Sequence, residues 1–339
     1  MAMSEGNEPA GQLTLALVGD MEVDRADPAS AFAKVLPELK KADLRFGGLE
    51  ASMSDKGSAL TGKIVMRHPP EMVSAYVAGG FDVLAFSSNH CMDYGIEPFV
   101  ETMDLLAKNG IRFSGAGKNL EEARTPAIVE RGGVRFGFLS YVLNLPLGWG
   151  AHENKAGVAP IREDPLFGLP YVDEEELAAM ASDVSATRSD VDILVTAFHW
   201  GSSQSRTLTL SQKAAAHTAI ESGADMVIGH HPHILQGIEV YRGKPIFFAL
   251  GNFVLDHDHP MFRPTVRESI YVKCRIEGGK VARVSLLPVL IEADGSPRIL
   301  EAGETRAEAI LNVLQEMSGK LGTELGISGN EAVVIGPAL

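Results

Sequence analysis

Apolar runs that stop at a polar residue recur along the chain, and most of them predict strands. Leu13–Val18 is the first, ending in Gly19-Asp20, and Leu44–Leu49 is the second, ending at Glu50. Phe81–Phe86 runs into Ser87-Ser88-Asn89-His90, and Val134–Tyr141 into the irregular loop Asn144–Gly157. Val191–Ala197 leads to Phe198-His199-Trp200-Gly201, and Asp225–Ile228 stops at Gly229 before His230, His231 and His233. Between these runs, apolar residues at helical spacing predict helices. Phe32, Val35, Leu36 and Leu39 share one face over Pro28–Lys40, and Phe99, Met103 and Leu106 share one over Glu97–Lys108. Pro69-Pro70 opens a helix that reaches Gly79-Gly80, and Glu174–Ala186 and Leu210–Ser222 supply two more. Beyond Leu235 the pattern changes to strands at Gly237–Tyr241, Ile246–Leu250, Ser269–Ile276 and Val281–Ile291, closed by a helix over Arg306–Lys320. The expectation is one α/β domain over residues 13–325, βαβ-rich in front and β-rich behind, between tails at 1–12 and 326–339.

Composition narrows the function classes. The chain has 339 residues and 45% of them are hydrophobic, ample for a large core. A net charge of −14 offers no basic face for phosphates, so nucleic acid and anionic membranes are not expected as partners. Anionic small molecules stay open, because bound divalent cations reverse the local field. Two cysteines, Cys91 and Cys274, make no disulfide framework and suit a reducing compartment. No apolar run is long enough for a signal sequence or a membrane span, and a cytoplasmic location is the default expectation.

The candidate chemistry lies in where the polar residues fall. Asp20, Glu50, Asn89-His90, His199 and the pair His231/His233 each stand just past the end of a separate predicted strand. Open α/β sheets collect their ligands there. Acidic residues also cap helices after strands, but five such positions in succession make a shared site the simpler account. The alternation His231-x-His233 aims two imidazoles the same way, as metal ligands often are. Oxygen and nitrogen donors without thiolate suit Mn, Zn, Fe or Mg, and a carboxylate able to bridge suits two metals about 3.5–4 Å apart.

The series Gly19-Asp20, Gly48-Leu49-Glu50, Ser88-Asn89-His90-Cys91-Met92-Asp93-Tyr94-Gly95, His199-Trp200-Gly201, Gly229-His230-His231-Pro232-His233 and Leu250-Gly251-Asn252-Phe253 resembles the CapA family. That family is named for poly-γ-glutamate capsule biosynthesis and belongs to the calcineurin-like metallophosphoesterase superfamily. The resemblance spans about residues 13–256 and implies a four-layer α-β-β-α sandwich with two divalent metals at the strand ends. It implies Asp20 and Glu50 as carboxylate ligands, with Glu50 bridging. Asn89, His199 and His231 would complete one metal, His233 would serve the other, and His90 would be the acid/base.

Three motifs depart from the family. Its Asp-x-His is Asp20-Met21-Glu22 here, so Glu22 is either an oxygen ligand or a solvent-facing residue. Its Asn-Leu-Glu is Gly48-Leu49-Glu50, without the amide, and Ser202-Ser203-Gln204 replaces the x-Glu-Tyr that often follows His-Trp-Gly.

The expected function is hydrolysis of an amide (γ-glutamyl or peptide-like) or a phosphoester in a small, carboxylate-rich substrate. Asp93 is read as the orienter of His90 or as a turn residue. Arg67 and Arg25 are read as substrate clamps or surface ion pairs. Trp200-Gly201 is read as packing, Cys91 as a small buried residue, and His257-Asp258-His259 as a loop. The loops Ser52–Gly62 and Asn144–Pro170 are expected to shape substrate choice. The alternatives are an epimerase or lyase that removes a proton beside a carbonyl, and a binding protein with a degenerate site.

Overall fold

The computed structural model describes residues 11–166, 169–257 and 260–336. Two sheets face each other. In the first, ten-stranded among the described residues, the order is Glu324–Ser328, Glu331–Ile335, Lys280–Ile291, Glu268–Glu277, Gln12–Glu22, Leu44–Leu49, Val83–Ala85 and Arg112–Ser114. Asn252–Leu255 adds to Gln12–Glu22, and Pro297–Ile299 to Lys280–Ile291. The second sheet runs Ile238–Tyr241, Lys244–Phe247, Met226–His230, Ile193–His199, Val134–Val142 and Ala127–Arg131.

The period of two in a strand sorts side chains between faces. Leu15 and Leu17 turn inward with Phe46 and Val83, and meet Phe138, Val195, Met226, Ile228 and Phe247 of the second sheet. Ala16, Val18 and Leu84 turn outward onto Tyr76, Phe99 and Met103 of the helices Val73–Gly79 and Ile96–Lys108. On the far side, Leu139, Leu194 and Val227 pack on Met180, Val184, Ala215 and Ala219 of the helices Glu174–Arg188 and Leu210–Glu221. The layers are therefore α-β-β-α. No helix among the described residues is long and apolar enough to cross a membrane.

Two expectations about elements need correction. The segment Pro28–Lys40 is not one helix but a 3-10 turn, Pro28–Phe32, and a separate short helix, Leu36–Leu39. Pro37 lacks an N–H and restricts the residue before it, so the first turn cannot propagate through it. Its apolar face is still used, since Phe32, Val35 and Leu39 are buried. Residues 326–335, expected as part of a tail, belong to the hairpin Glu324–Ser328/Glu331–Ile335, whose second strand pairs with Lys280–Ile291. Ala332 and Val334 enter the core on alternate positions. The tail expected at the other end lies outside the described residues up to Ala10, and the first strand begins at Gln12.

Phe46 and Phe138 stack across the two sheets with centroids 4.9 Å apart and planes 12° from parallel. Both are fully buried. Phe46→Ala should lower the free energy of urea unfolding by about 3–5 kcal/mol. A loss below about 1 kcal/mol would mean that the inter-sheet core does not hold the sandwich together.

Candidate metal centre

The parallel strands end at one rim, and tight backbone contacts bring those ends together. Asp20 lies in register with Gly48 on one side and Asn252 on the other, and its N–H donates to the Gly251 carbonyl at 3.1 Å. A Cβ on Gly19 would sit 1.8 Å from that carbonyl oxygen, and one on Gly229 would sit 1.9 Å from the Phe248 oxygen. Only glycine permits either approach. Past Gly229 the chain turns sharply, with φ of 89° at His231 and 57° at His233. Such conformations cost non-glycine residues on the order of 1–3 kcal/mol each. Asp20 Oδ2 helps to hold the turn by accepting the His231 N–H at 2.9 Å.

Around this turn the predicted donors converge. Asp20, Glu50 and His199 each offer an atom within 4.8 Å of the others. His199 Nε2 is 2.6 Å from Asn89 Oδ1 and 3.8 Å from Glu50 Oε1. The His231 ring lies 4.8 Å from that of His199 and 5.6 Å from that of His233. His233 Nδ1 stands 2.9 Å from Asn252 Oδ1 and 3.7 Å from Asp20 Oδ2. Glu22, Asn89, His90, His231 and His233 line a cavity of about 690 Å³. Glu22 thus turns inward, only 5% exposed, rather than to solvent.

The electrostatics of this set are those of a site built for cations. Neither carboxylate oxygen of Glu50, nor Nδ1 of His231, has a hydrogen-bond partner among the described residues. Burial raises the Glu50 pKa well above the carboxylate range, helped by the charges of Asp20 and Glu22. Glu22 is pushed up to about 8 by burial and by Asp256, Asp20 and Asp24. Burial, then His233, brings His231 down to about 3, and burial depresses His199 as well. For Asp20 burial acts upward, but His230, His233 and the His231 N–H outweigh it and hold the group below its ordinary value. Buried carboxylates and imidazoles that lack partners are costly, and a divalent cation satisfies both. The donors fit such ions.

His90 stands beside this set, with Nδ1 at 2.5 Å from Asp93 Oδ2. Asp93 is wholly buried and also takes the Met66 N–H at 2.8 Å and the Lys63 ammonium. It orients the imidazole. Lys63, which the sequence reading missed, additionally donates to the Asn89 carbonyl and lies 4.6 Å over the Trp149 ring. It follows a loop with no pattern to mark it.

Other candidates fall outside the centre. Arg25 is not available to a substrate, because its Nε donates to Asp256 Oδ2 at 2.9 Å, and Ser296 and the Asp294 carbonyl take its other nitrogens. Its place five residues past Asp20 brought it to the rim, but the strand's own partner Asp256 claimed it. Arg67 lines the same cavity, with its guanidinium stacked 4.2 Å over Tyr94 and bonded to the Lys56 carbonyl. Trp200 packs on Phe198 and donates to the Phe248 carbonyl at 2.8 Å. Burial pushes the Cys91 thiol up to about 12, which leaves it no thiolate. Of the expected loop at 257–259, Asp258 and His259 lie outside the described residues.

Position 48 explains one departure from the family. A Cβ on Gly48 would lie 2.7 Å from His230 Nδ1, so the His230 imidazole fills the space of the expected amide. That nitrogen is 2.9 Å from Asp20 Oδ1, off the line of a hydrogen bond.

Comparison with known proteins finds relatives named for PGA and capsule synthesis. The chain is 28% identical over 292 residues to the PGA biosynthesis protein CapA of Bacillus subtilis, covering 85% of this chain and 72% of that one. It is 29% identical over 311 residues to a probable polyglutamine synthesis accessory protein of Mycobacterium tuberculosis, covering 89% and 79%. The capsule biosynthesis protein CapA of Bacillus anthracis is 27% identical over 305 residues, covering 85% and 69%. The model of the bacterial capsule synthesis protein PGA_cap family matches residues 10–257, and the chain belongs to that family, within the metallophosphoesterase-like superfamily.

Proposed function

We propose that this protein is a divalent-metal-dependent hydrolase acting on a γ-glutamyl or peptide-like amide, with phosphoesters as the competing substrate class. One observation carries the reading: the buried Glu50 carboxylate, without a hydrogen-bond partner among the described residues, lies among Asp20, Asn89, His199, His231 and His233, beside an imidazole held by Asp93. The names of the relatives, which concern PGA, polyglutamine and capsule synthesis, support an amide-linked, peptide-like substrate.

Asp20, Glu22, Glu50 and His233 would hold one cation, and Glu50, Asn89, His199 and His231 a second. When bound, such ions acidify water and draw charge from the scissile group. The chain's own residues move the proton. Asp93 accepts from His90 Nδ1–H, which leaves Nε2 as the working nitrogen. Burial lowers the His90 pKa and Asp93 only partly offsets this, so the ring rests neutral. It therefore takes a proton from the attacking water and passes that proton to the leaving amine. Asn252 accepts from His233 Nδ1 and directs its Nε2 away from Asn252.

The test is metal content and turnover of wild type, Glu50→Gln and His231→Ala, on γ-glutamyl amides, short peptides and aryl phosphoesters. Both variants should lose metal and at least about 100-fold in turnover while staying folded by circular dichroism. Full turnover after exhaustive chelation would sink the proposal. Asp93→Asn should lower kcat by about 10–100-fold with KM little changed, and should shift the pH profile. An equal change in KM alone would make Asp93 a merely structural residue.

Without metal, stability should peak near neutrality. His68, His90, His199 and His231 are depressed below 6.5, so the unfolded chain binds more protons in acid and stability rises with pH up to about 6.5. Glu22 keeps its proton to about 8 and Glu50 is raised too, whereas unfolded they ionise near 4.5, so these two acids oppose that rise. Above about 6.5 only the acids act, and stability falls. Urea unfolding in chelator should show this maximum. A stability that climbs without a turn to about pH 8 would mean that the folded acids are already ionised.

A further inference from the structure

A second group of metal-type donors lies outside the set around Glu50 and shares no residue with it. Asp24, His68 and His257 each offer an atom within 4.8 Å of the others. His257 Nε2 is 2.9 Å from Asp24 Oδ2, and the His68 and His257 rings stack at 5.7 Å, 12° from parallel. His68 is 1% exposed, yet neither of its ring nitrogens has a hydrogen-bond partner among the described residues. A buried imidazole without partners is costly, and something at this site must offset that cost.

The backbone holds two of the three donors rigidly. The His68 N–H donates to the Ser52 carbonyl at 2.9 Å, and its own carbonyl takes the Ser54 N–H at 2.8 Å. The Asp24 N–H donates to Asp256 Oδ2 at 2.8 Å, on a carboxylate already fixed by Arg25. Asp24 and His257 both line the cavity that Glu22, His231 and His233 line. His257 is the accessible member, with 53% of its side chain exposed.

We propose that Asp24, His68 and His257 bind a third divalent cation in the wall of this cavity. Two imidazoles and one carboxylate favour a borderline ion such as zinc over magnesium or calcium, and three protein donors leave open positions toward the cavity. There the ion adds positive charge where an anionic part of a substrate enters. The inference stands without the dinuclear reading, because the two donor sets are disjoint.

The test uses zinc alone, with zinc-edge anomalous scattering from crystals and metal analysis in solution. Wild type in excess zinc should show a peak among Asp24, His68 and His257, apart from density at Glu50. His257→Ala should abolish that peak and lose about one equivalent, leaving the sites at Glu50 filled. The double variant Glu50→Gln/His231→Ala should keep the Asp24 peak, and its retention alongside loss at Glu50 would separate the two sites. His257 is exposed, so its loss does not threaten the fold. His68→Gln, checked by circular dichroism, should lose the same equivalent. The proposal is overturned if wild type shows no peak at these three residues, or if His257→Ala binds as much zinc as wild type. An Asp24 peak with no metal at Glu50 in wild type would instead overturn the dinuclear reading and leave this one standing.

Discussion

Asp20 ties the rims of the two sheets together. Its Oδ2 accepts the N–H of His231, a residue 211 positions away, and its Oδ1 lies 2.9 Å from the His230 imidazole. The carboxylate serves best in both contacts as an anion, although burial opposes that form. Its surroundings have been arranged to win this contest: three histidine positions, 230, 231 and 233, contribute to it. The glycines follow from the same crowding. Gly19 allows the first strand to close on Gly251, and Gly48 leaves room for His230. The strained turn at His231 and His233 survives because this anion and Asn252 hold it from two sides.

What the sequence made legible was whatever depends on local pattern. Strand ends marked by Asp20, Glu50, Asn89, His199 and His231 could be read because each apolar run stops at a residue that burial alone would not choose. The four-layer order came from resemblance, and the alternating faces of Leu15/Leu17 and Ala16/Val18 account for it physically. Long-range partners were not legible. Arg25 could be read either as a substrate clamp or as an ion pair, because its partner Asp256 lies 231 residues further on. The strands Glu324–Ser328 and Glu331–Ile335 are short, and they are strands through pairing with each other and, for the second, with Lys280–Ile291. Pro37 is the local signal that divides the segment at 28–40. His230 was seen only as one of three neighbouring histidines. Its distinct place shows up only when the space at Gly48 is measured, because two absences, a missing amide and a missing Cβ, explain each other there.

The distribution of positive charge at the rim carries the argument a step further. An ammonium beside Glu50 would have satisfied that carboxylate and relieved the repulsion from Asp20 and Glu22. The ammonium that does line this cavity, Lys63, is instead bound to Asp93 and the Asn89 carbonyl. It therefore steadies the carboxylate that orients His90 and leaves the Glu50 oxygens without a hydrogen-bond partner among the described residues. A fold selected for stability alone would pair Glu50 or replace it, since an unpaired buried acid is among the costlier features a core can contain. Keeping it unpaired, next to imidazoles held neutral, makes sense as preorganisation for cations that arrive after folding. The same logic extends to His68, whose two ring nitrogens have no hydrogen-bond partner among the described residues and stand beside Asp24 and His257.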